Sequence, residues 1–152
     1  MQARMQSPTT LLPDALKHGQ GLAQVAFQSG VDQETMSLVH LRASQINGCS
    51  WCVDADRPDA STDETTMQRK WSVSAWREAP YYTDAQRIAL ELAEAMTRQA
   101  DKGDVVSDEL WTELTKYYDE KQLAGLVFWI ATVNFYNRIN AAVRTVAGTK
   151  WN

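Results

Sequence analysis

The chain has little of what small secreted domains and nucleic-acid binders rely on. Among 152 residues there are two cysteines, Cys49 and Cys52, which excludes a disulfide framework. Basic residues number 15 against 19 acidic ones, for a net charge of -4, so no cationic surface invites nucleic acid. No apolar run reaches the roughly 18 residues of a membrane-spanning helix, and residues 1–10 lack the basic-then-hydrophobic order of a leader. The expectation is a protein of the cytoplasm with neither nucleic acid nor membrane as partner. Strand alternation, low-complexity tracts, charge blocks and solenoid repeats are also missing.

What is present is helical periodicity. Length and a 44% apolar composition suit a single domain spanning 1–152, with 1–10 as a flexible or subunit-contacting segment. A first helix is expected over 13–28, closed by Ser29 and Gly30. Asp32 opens a second, which Asn47 and Gly48 end. Ser50 is the next N-cap candidate, and that third helix kinks or stops at Pro58. Residues 61–66 read as a turn and 67–78 as short helical pieces. Thr83 and Ser107 start further helices. The last is expected over 119–147. Its 123–133 stretch is apolar on almost every side, which marks a central or subunit-contact helix. The whole reads as an all-α bundle of six or so helices.

Cys49-Ser50-Trp51-Cys52 lies where one helix ends and the next begins. A separation of three on a helical turn brings both sulfurs to one face, within reach of a disulfide. Partial positive charge at the helix start favours a thiolate, most strongly at Cys49, with Cys52 one turn deeper and more buried. Zinc is disfavoured, because no second cysteine pair completes four ligands. Two cysteines that only pack are the plain alternative.

Three ordered blocks carry a family resemblance: Leu41 to Asp54 (LRASQINGCSWCVD), Ser74 to Pro80 followed by Thr83-Asp84, and Ile130 to Arg138. The chain resembles the AhpD-like, carboxymuconolactone decarboxylase family in its C-x-x-C branch. That resemblance implies an AhpD-like helical bundle and a homo-oligomer (dimer, trimer or hexamer). It also implies a thiol-dependent oxidoreductase that reduces hydroperoxides or exchanges disulfides and is regenerated by an external thiol reductant, without metal or organic cofactor. Cys52 is then the attacking cysteine and Cys49 the resolving one, the reverse of the order the helix dipole favours.

In the family a glutamate twelve residues before the first cysteine and a histidine four after the second form a proton relay. This chain has Ser37 and Asp56 at those positions. Serine is no carboxylate base, and an aspartate one turn from Cys52 disfavours a thiolate. Three readings follow. The relay has moved to Glu34 or His40, each one turn from Ser37; or disulfide exchange persists with weak peroxide turnover; or the chain is a redox-quiet, small-molecule-binding or scaffold homo-oligomer. A decarboxylase ranks after these. Asp56 is also a candidate N-cap for a helix restarting at Pro58. Trp51, between the cysteines, is placed at a substrate pocket. Trp71, Trp76, Trp111 and Trp129 are assigned to core or interface, and Asn134, Asn137 and Arg138 to buried backbone groups or subunit contacts.

Overall fold

The computed structural model describes residues 2–149, and every regular element among them is helical. Proline opens the first two helices, α1 (Pro8–Leu11) and α2 (Pro13–Phe27), where its missing amide costs no intrahelical bond. Gly30 turns the chain at φ 93°. Asp32 then caps α3 (Gln33–Asn47), its Oδ1 accepting the Thr35 amide at 2.8 Å. Gly48, left-handed at φ 66°, ends α3, a geometry that a β-carbon penalises.

The next helix, α4 (Ser50–Ala55), is capped by Cys49 and not by Ser50. It stops before Pro58, as expected from the proline's effect on the residue ahead of it. Asp56 sits at its C-terminal end, and no helix restarts at Pro58, so the N-cap role proposed for Asp56 is not the one it takes. The expected turn over 61–66 is shorter than its polar composition suggests: Asp63 caps α5 (Glu64–Ser72), which runs into a 3₁₀ turn at Val73–Ala75. Thr83 and Gln86 form a capping box for α6 (Asp84–Thr97), and Ser107 caps α7 (Asp108–Leu114). The last helix, α8 (Glu120–Val143), closes at Arg144 in the left-handed region. It ends four residues before the expected position 147, as Arg144 takes the left-handed conformation.

The α3 helix is central, packing on α6 and on α8, while α2 covers the other side of α8. Met36, Leu38 and Val39 are fully buried; Met36 and Val39 share one side of α3 and Leu38 faces another. Met36 and Val39 join Leu92, Leu126 and Ile130, whereas Leu38 meets Val73, Trp76 and Leu90. Each such side chain contributes about 1.5–3 kcal/mol by leaving water. Two close approaches set the packing of α8 on α2. A β-carbon on Gly125 would lie 2.2 Å from the Ser29 side chain, and one on Gly19 would lie 1.9 Å from the Tyr136 hydroxyl.

The polar end of α8 is satisfied mainly by other side chains. Asn47 Nδ2 donates to Asn134 Oδ1 and Asn137 Oδ1 at 3.0 and 2.9 Å, and Asn137 Nδ2 donates to Ser44 Oγ at 3.0 Å. This layer ties the end of α3 to α8 one turn before the cysteines. Near the N-terminus, Arg4 donates its amide to the Val143 carbonyl and its guanidinium to that of Ala142, so this segment is fastened to the end of α8. No helix among the described residues is long and apolar enough to cross a membrane.

Candidate functional site: a cysteine pair beside a carboxylate–imidazole contact

The Gly48 reversal delivers Cys49 to the start of α4, and one helical turn brings Cys52 beneath it. The two form a disulfide with α-carbons 5.3 Å apart. Cys49 Sγ accepts the Cys52 amide hydrogen at 3.3 Å, the capping interaction that a serine or aspartate oxygen makes elsewhere. The expected difference in depth is not found: Cys49 is 1% and Cys52 2% exposed. On the α8 side, Asn140 Nδ2 stands 3.5 Å from Cys52 Sγ, and its side-chain oxygen is held by the Thr145 hydroxyl at 2.9 Å.

Two of the positions that depart from the family pattern are in contact with each other. Ser37 Oγ donates to Asp56 Oδ1 at 3.1 Å, and His40 Nδ1 pairs with Asp56 Oδ2. Lys70 Nζ donates to the Asp56 carbonyl at 3.0 Å and lies 3.9 Å from Oδ1. An imidazole whose Nδ1–H is held by a carboxylate presents Nε2 as its accepting nitrogen. Its ring stacks on Trp129, centroids 5.8 Å apart at 28°, and the indole of Trp129 is fixed by an Nε1–H bond to the Met36 carbonyl at 2.8 Å. The carboxylate thus comes from the end of α4 and the imidazole from α3, opposite to the family's arrangement.

Glu34 belongs to a different cluster. Its oxygens accept from Arg69 at 2.8 and 2.6 Å, from Gln86 Nε2 at 3.2 Å and from Thr66 Oγ at 3.3 Å. These bonds join α3 to α5 and α6, on a side of α3 that the cysteines do not share.

Two openings flank the disulfide. A cavity of about 210 Å³ is lined by His40, Trp51, Cys52, Trp129, Tyr136 and Asn140, among others. Burial pushes the Tyr136 phenol up, so it is a neutral wall at ordinary pH. Trp51 lines this cavity as expected, with its Nε1–H donated to the Thr149 carbonyl at 2.8 Å. On the other side, a cleft of about 560 Å³ is lined by Cys49 and by residues of α4, α5 and the segment after α4. Trp71, assigned to core or interface from sequence, stands at this cleft and is 73% exposed. Trp76 is buried as expected.

Sequence reasoning passed over Trp129, Tyr136 and Asn140 as site residues. Their spacing, with Val133 between, repeats every three or four positions along α8, so one face of that helix was readable as a wall. It also missed Glu94, a buried hub whose carboxylate accepts from Arg42 at 2.6 Å, Arg77 at 2.8 Å, Arg98 at 2.7 Å and Trp76 Nε1 at 3.1 Å. Burial raises its pKa, but the hydrogen bonds from Arg77, Arg98, Arg42 and Trp76 outweigh that and hold it at about 2.

Residues 13–95 match the carboxymuconolactone decarboxylase family. The uncharacterized protein YdfG of Bacillus subtilis is 34% identical over 140 residues, covering 92% of this chain and 94% of that one. The uncharacterized protein YnjA of Escherichia coli is 31% identical over 116 residues, 76% of this chain and 62% of its own length. Among solved structures, ATU0492 of Agrobacterium tumefaciens, a candidate antioxidant defence protein AhpD, superposes with a TM-score of 0.84 at 28% identity over 98% of this chain and 100% of that one. The debrominase Bmp8 shares the fold at a TM-score of 0.75 and 22% identity, over 93% of this chain and 75% of its own.

Proposed function

The chain belongs to the carboxymuconolactone decarboxylase family, and from that premise we propose that it is a thiol-dependent oxidoreductase of the alkylhydroperoxidase type. It reduces hydroperoxides or exchanges disulfides through Cys49 and Cys52. One observation carries this reading: Cys52 and a carboxylate-held imidazole line the same apolar cavity.

In the reduced protein, His40 Nε2 takes the Cys52 proton and the resulting thiolate attacks the terminal oxygen of the hydroperoxide. The O–O bond breaks, Cys52 becomes a sulfenic acid, and the leaving alkoxide takes the proton back from His40 as an alcohol. Cys49 then attacks the sulfenic sulfur, expelling water and closing the disulfide. Asp56 orients the ring and balances the imidazolium, and Asn140 donates toward the sulfur. An external thiol reductant restores the dithiol. The reading includes a homo-oligomer, supported by Leu22, Val25, Phe27, Phe128 and Phe135, which lie exposed along α2 and α8, and a place in the cytoplasm.

The test is consumption of cumene hydroperoxide, with dithiothreitol as reductant, by the wild type and by Cys49→Ser and Cys52→Ser. Turnover by the wild type that Cys52→Ser abolishes and Cys49→Ser slows supports the reading. Equal inertness of all three toward hydroperoxide and toward a disulfide substrate overturns it in favour of a binding or scaffold role.

A further inference from the structure

The chain that leaves α8 turns back on the site. Arg144 takes the left-handed conformation at φ 57°, a place that helix ends ordinarily give to glycine. The turn lets Thr145 grip Asn140 twice: its amide donates to the Asn140 carbonyl at 3.0 Å and its hydroxyl to Asn140 Oδ1 at 2.9 Å. Further along, the Gly148 amide donates to Asp54 Oδ2 at 2.9 Å, and the Thr149 carbonyl accepts from Trp51 Nε1 at 2.8 Å. Residues 144–149 thus fasten the end of α8 to α4, the helix that carries Cys52. We propose that Thr145 is a positioning residue for the redox chemistry: it fixes the Asn140 amide so that Nδ2, and not Oδ1, faces Cys52 and stabilises its thiolate. This rests on the redox reading of the cysteine pair and adds a residue, on a separate segment, that controls the attacking sulfur.

The two ends of an amide side chain have nearly the same shape and opposite hydrogen-bonding character. Asn140 is buried against Cys52, so the end that meets the sulfur sets the local field. With Nδ2 at 3.5 Å from Cys52 Sγ, a donor faces the developing negative charge and favours the thiolate; with Oδ1 there, lone pairs would oppose it. Thr145 decides between the two. Its hydroxyl hydrogen goes to Oδ1, which leaves Nδ2 for the sulfur. In the flipped amide that hydrogen would lose its acceptor in a part-buried place, and the sulfur would lose its donor.

The charged and titratable groups around Cys52 come from several elements. From α3, His40 is engaged through Nδ1 by Asp56, which leaves Nε2 to take the Cys52 proton. From α4, Asp54 is engaged by the Gly148 amide and by Arg57 at 3.5 Å. Asp56, at the end of α4, is engaged by His40, by Ser37 and by Lys70 of α5. Tyr136 of α8 is a neutral wall of the cavity, and the α2 residues there, Gln20 and Ala23, carry no charge. When Cys52 gives its proton to His40, the electron pair left on Sγ faces the Asn140 amide. All the other groups stay in place when Thr145 is changed, so a shift in Cys52 acidity reads the amide.

The acidity of Cys52 is measured in Cys49→Ser, where it is the single thiol, from the rate of alkylation by iodoacetamide against pH. In that background Thr145→Val, which keeps the shape and removes the hydroxyl, is expected to raise the Cys52 pKa by about one unit, the scale of one hydrogen bond to a charged group. Thr145→Ser, which restores the hydroxyl, is expected to leave it where it was. Asn140→Ala is expected to raise it as well, and Thr145→Val added to Asn140→Ala is expected to change nothing more, because the hydroxyl acts through the amide. In the parent, the Asn140 side-chain amide resonance is expected to move with pH along the Cys52 titration, a readout that needs no substitution in the segment. A Cys52 pKa that Thr145→Val leaves unmoved, additive shifts in the double variant, or an amide resonance indifferent to the titration overturns the proposal. None of these measurements uses hydroperoxide. An inert protein that shows the expected shifts fails the proposed activity and keeps this assignment, and normal turnover without the shifts does the reverse.

Discussion

His40 Nδ1 on α3 is paired with Asp56 Oδ2 at the end of α4, so the residue that departs from the family pattern after the second cysteine is the partner of a histidine that lines the cysteine cavity. A carboxylate beside a thiol disfavours its ionisation, yet the same carboxylate holding an imidazole supplies a base. The short reach between α3 and α4 around Gly48 lets His40 engage the Asp56 carboxylate.

Asp56→Asn keeps the shape of the contact and removes its charge. Sulfenic acid formation at Cys52 is expected to slow about 10–100-fold, the usual cost of losing the partner that orients a functional histidine. His40→Gln is expected to slow it at least as much. Stopped-flow oxidation of the reduced protein by cumene hydroperoxide measures both. Oxidation as fast as in the wild type in either variant removes the pair from the chemistry.

Restoring the family's order provides a complementary test. With Ser37→Glu and Asp56→His combined, a carboxylate returns to α3 and an imidazole to α4, on positions whose side chains already touch. The double variant is expected to oxidise within a few-fold of wild type and faster than Asp56→Asn. The rate of Cys52 alkylation against pH, measured on the reduced proteins, should rank the variants in the same order.

Glu94 links stability to acid. Its folded pKa of about 2 lies below the ordinary 4.5, so its contribution is fully present above pH 4.5 and is lost as pH falls through its folded value of about 2. Glu94→Gln is expected to destabilise the protein at neutral pH and to flatten that acid limb, because Arg42, Arg77 and Arg98 lose the negative charge they share. Urea unfolding at a series of pH values checks it.

The polar layer behind the site is expected to be as sensitive. Asn137 is fully buried and accepts from Asn47 while donating to Ser44. Asn137→Ala strands both partners and opens a void, at a cost of about 2–4 kcal/mol. A loss below about 0.5 kcal/mol in urea unfolding, on the scale of an ordinary surface substitution, would show that the layer is not holding α3 to α8.

Much of the fold was legible because its boundaries are local chemistry. Asp32, Thr83 and Ser107 cap the helices that follow them, and Gly48 turns where only glycine turns cheaply. Errors fall where the deciding contact is not local. Cys49 took the cap expected of Ser50, since a sulfur in the right place accepts an amide hydrogen as an oxygen does. Glu34 and His40 look equivalent from Ser37, each one turn away, but Arg69 from α5 claims the first and Asp56 claims the second. Trp71 reads as core from its bulk, yet α5 is short and half-solvated, with no buried residue, and leaves it at the cleft. The three α8 side chains that close the cavity follow a helical repeat, whose meaning appears only once α2 and α4 are placed against it.

The most direct measurement adds limiting cumene hydroperoxide to the fully reduced protein with no external reductant. The account expects one equivalent to be consumed per protomer, with the two thiols lost together and a Cys49–Cys52 disulfide found by mass spectrometry; in Cys49→Ser the sulfenic acid should remain on Cys52. Hydroperoxide left intact while both thiols stay open to alkylation would contradict it.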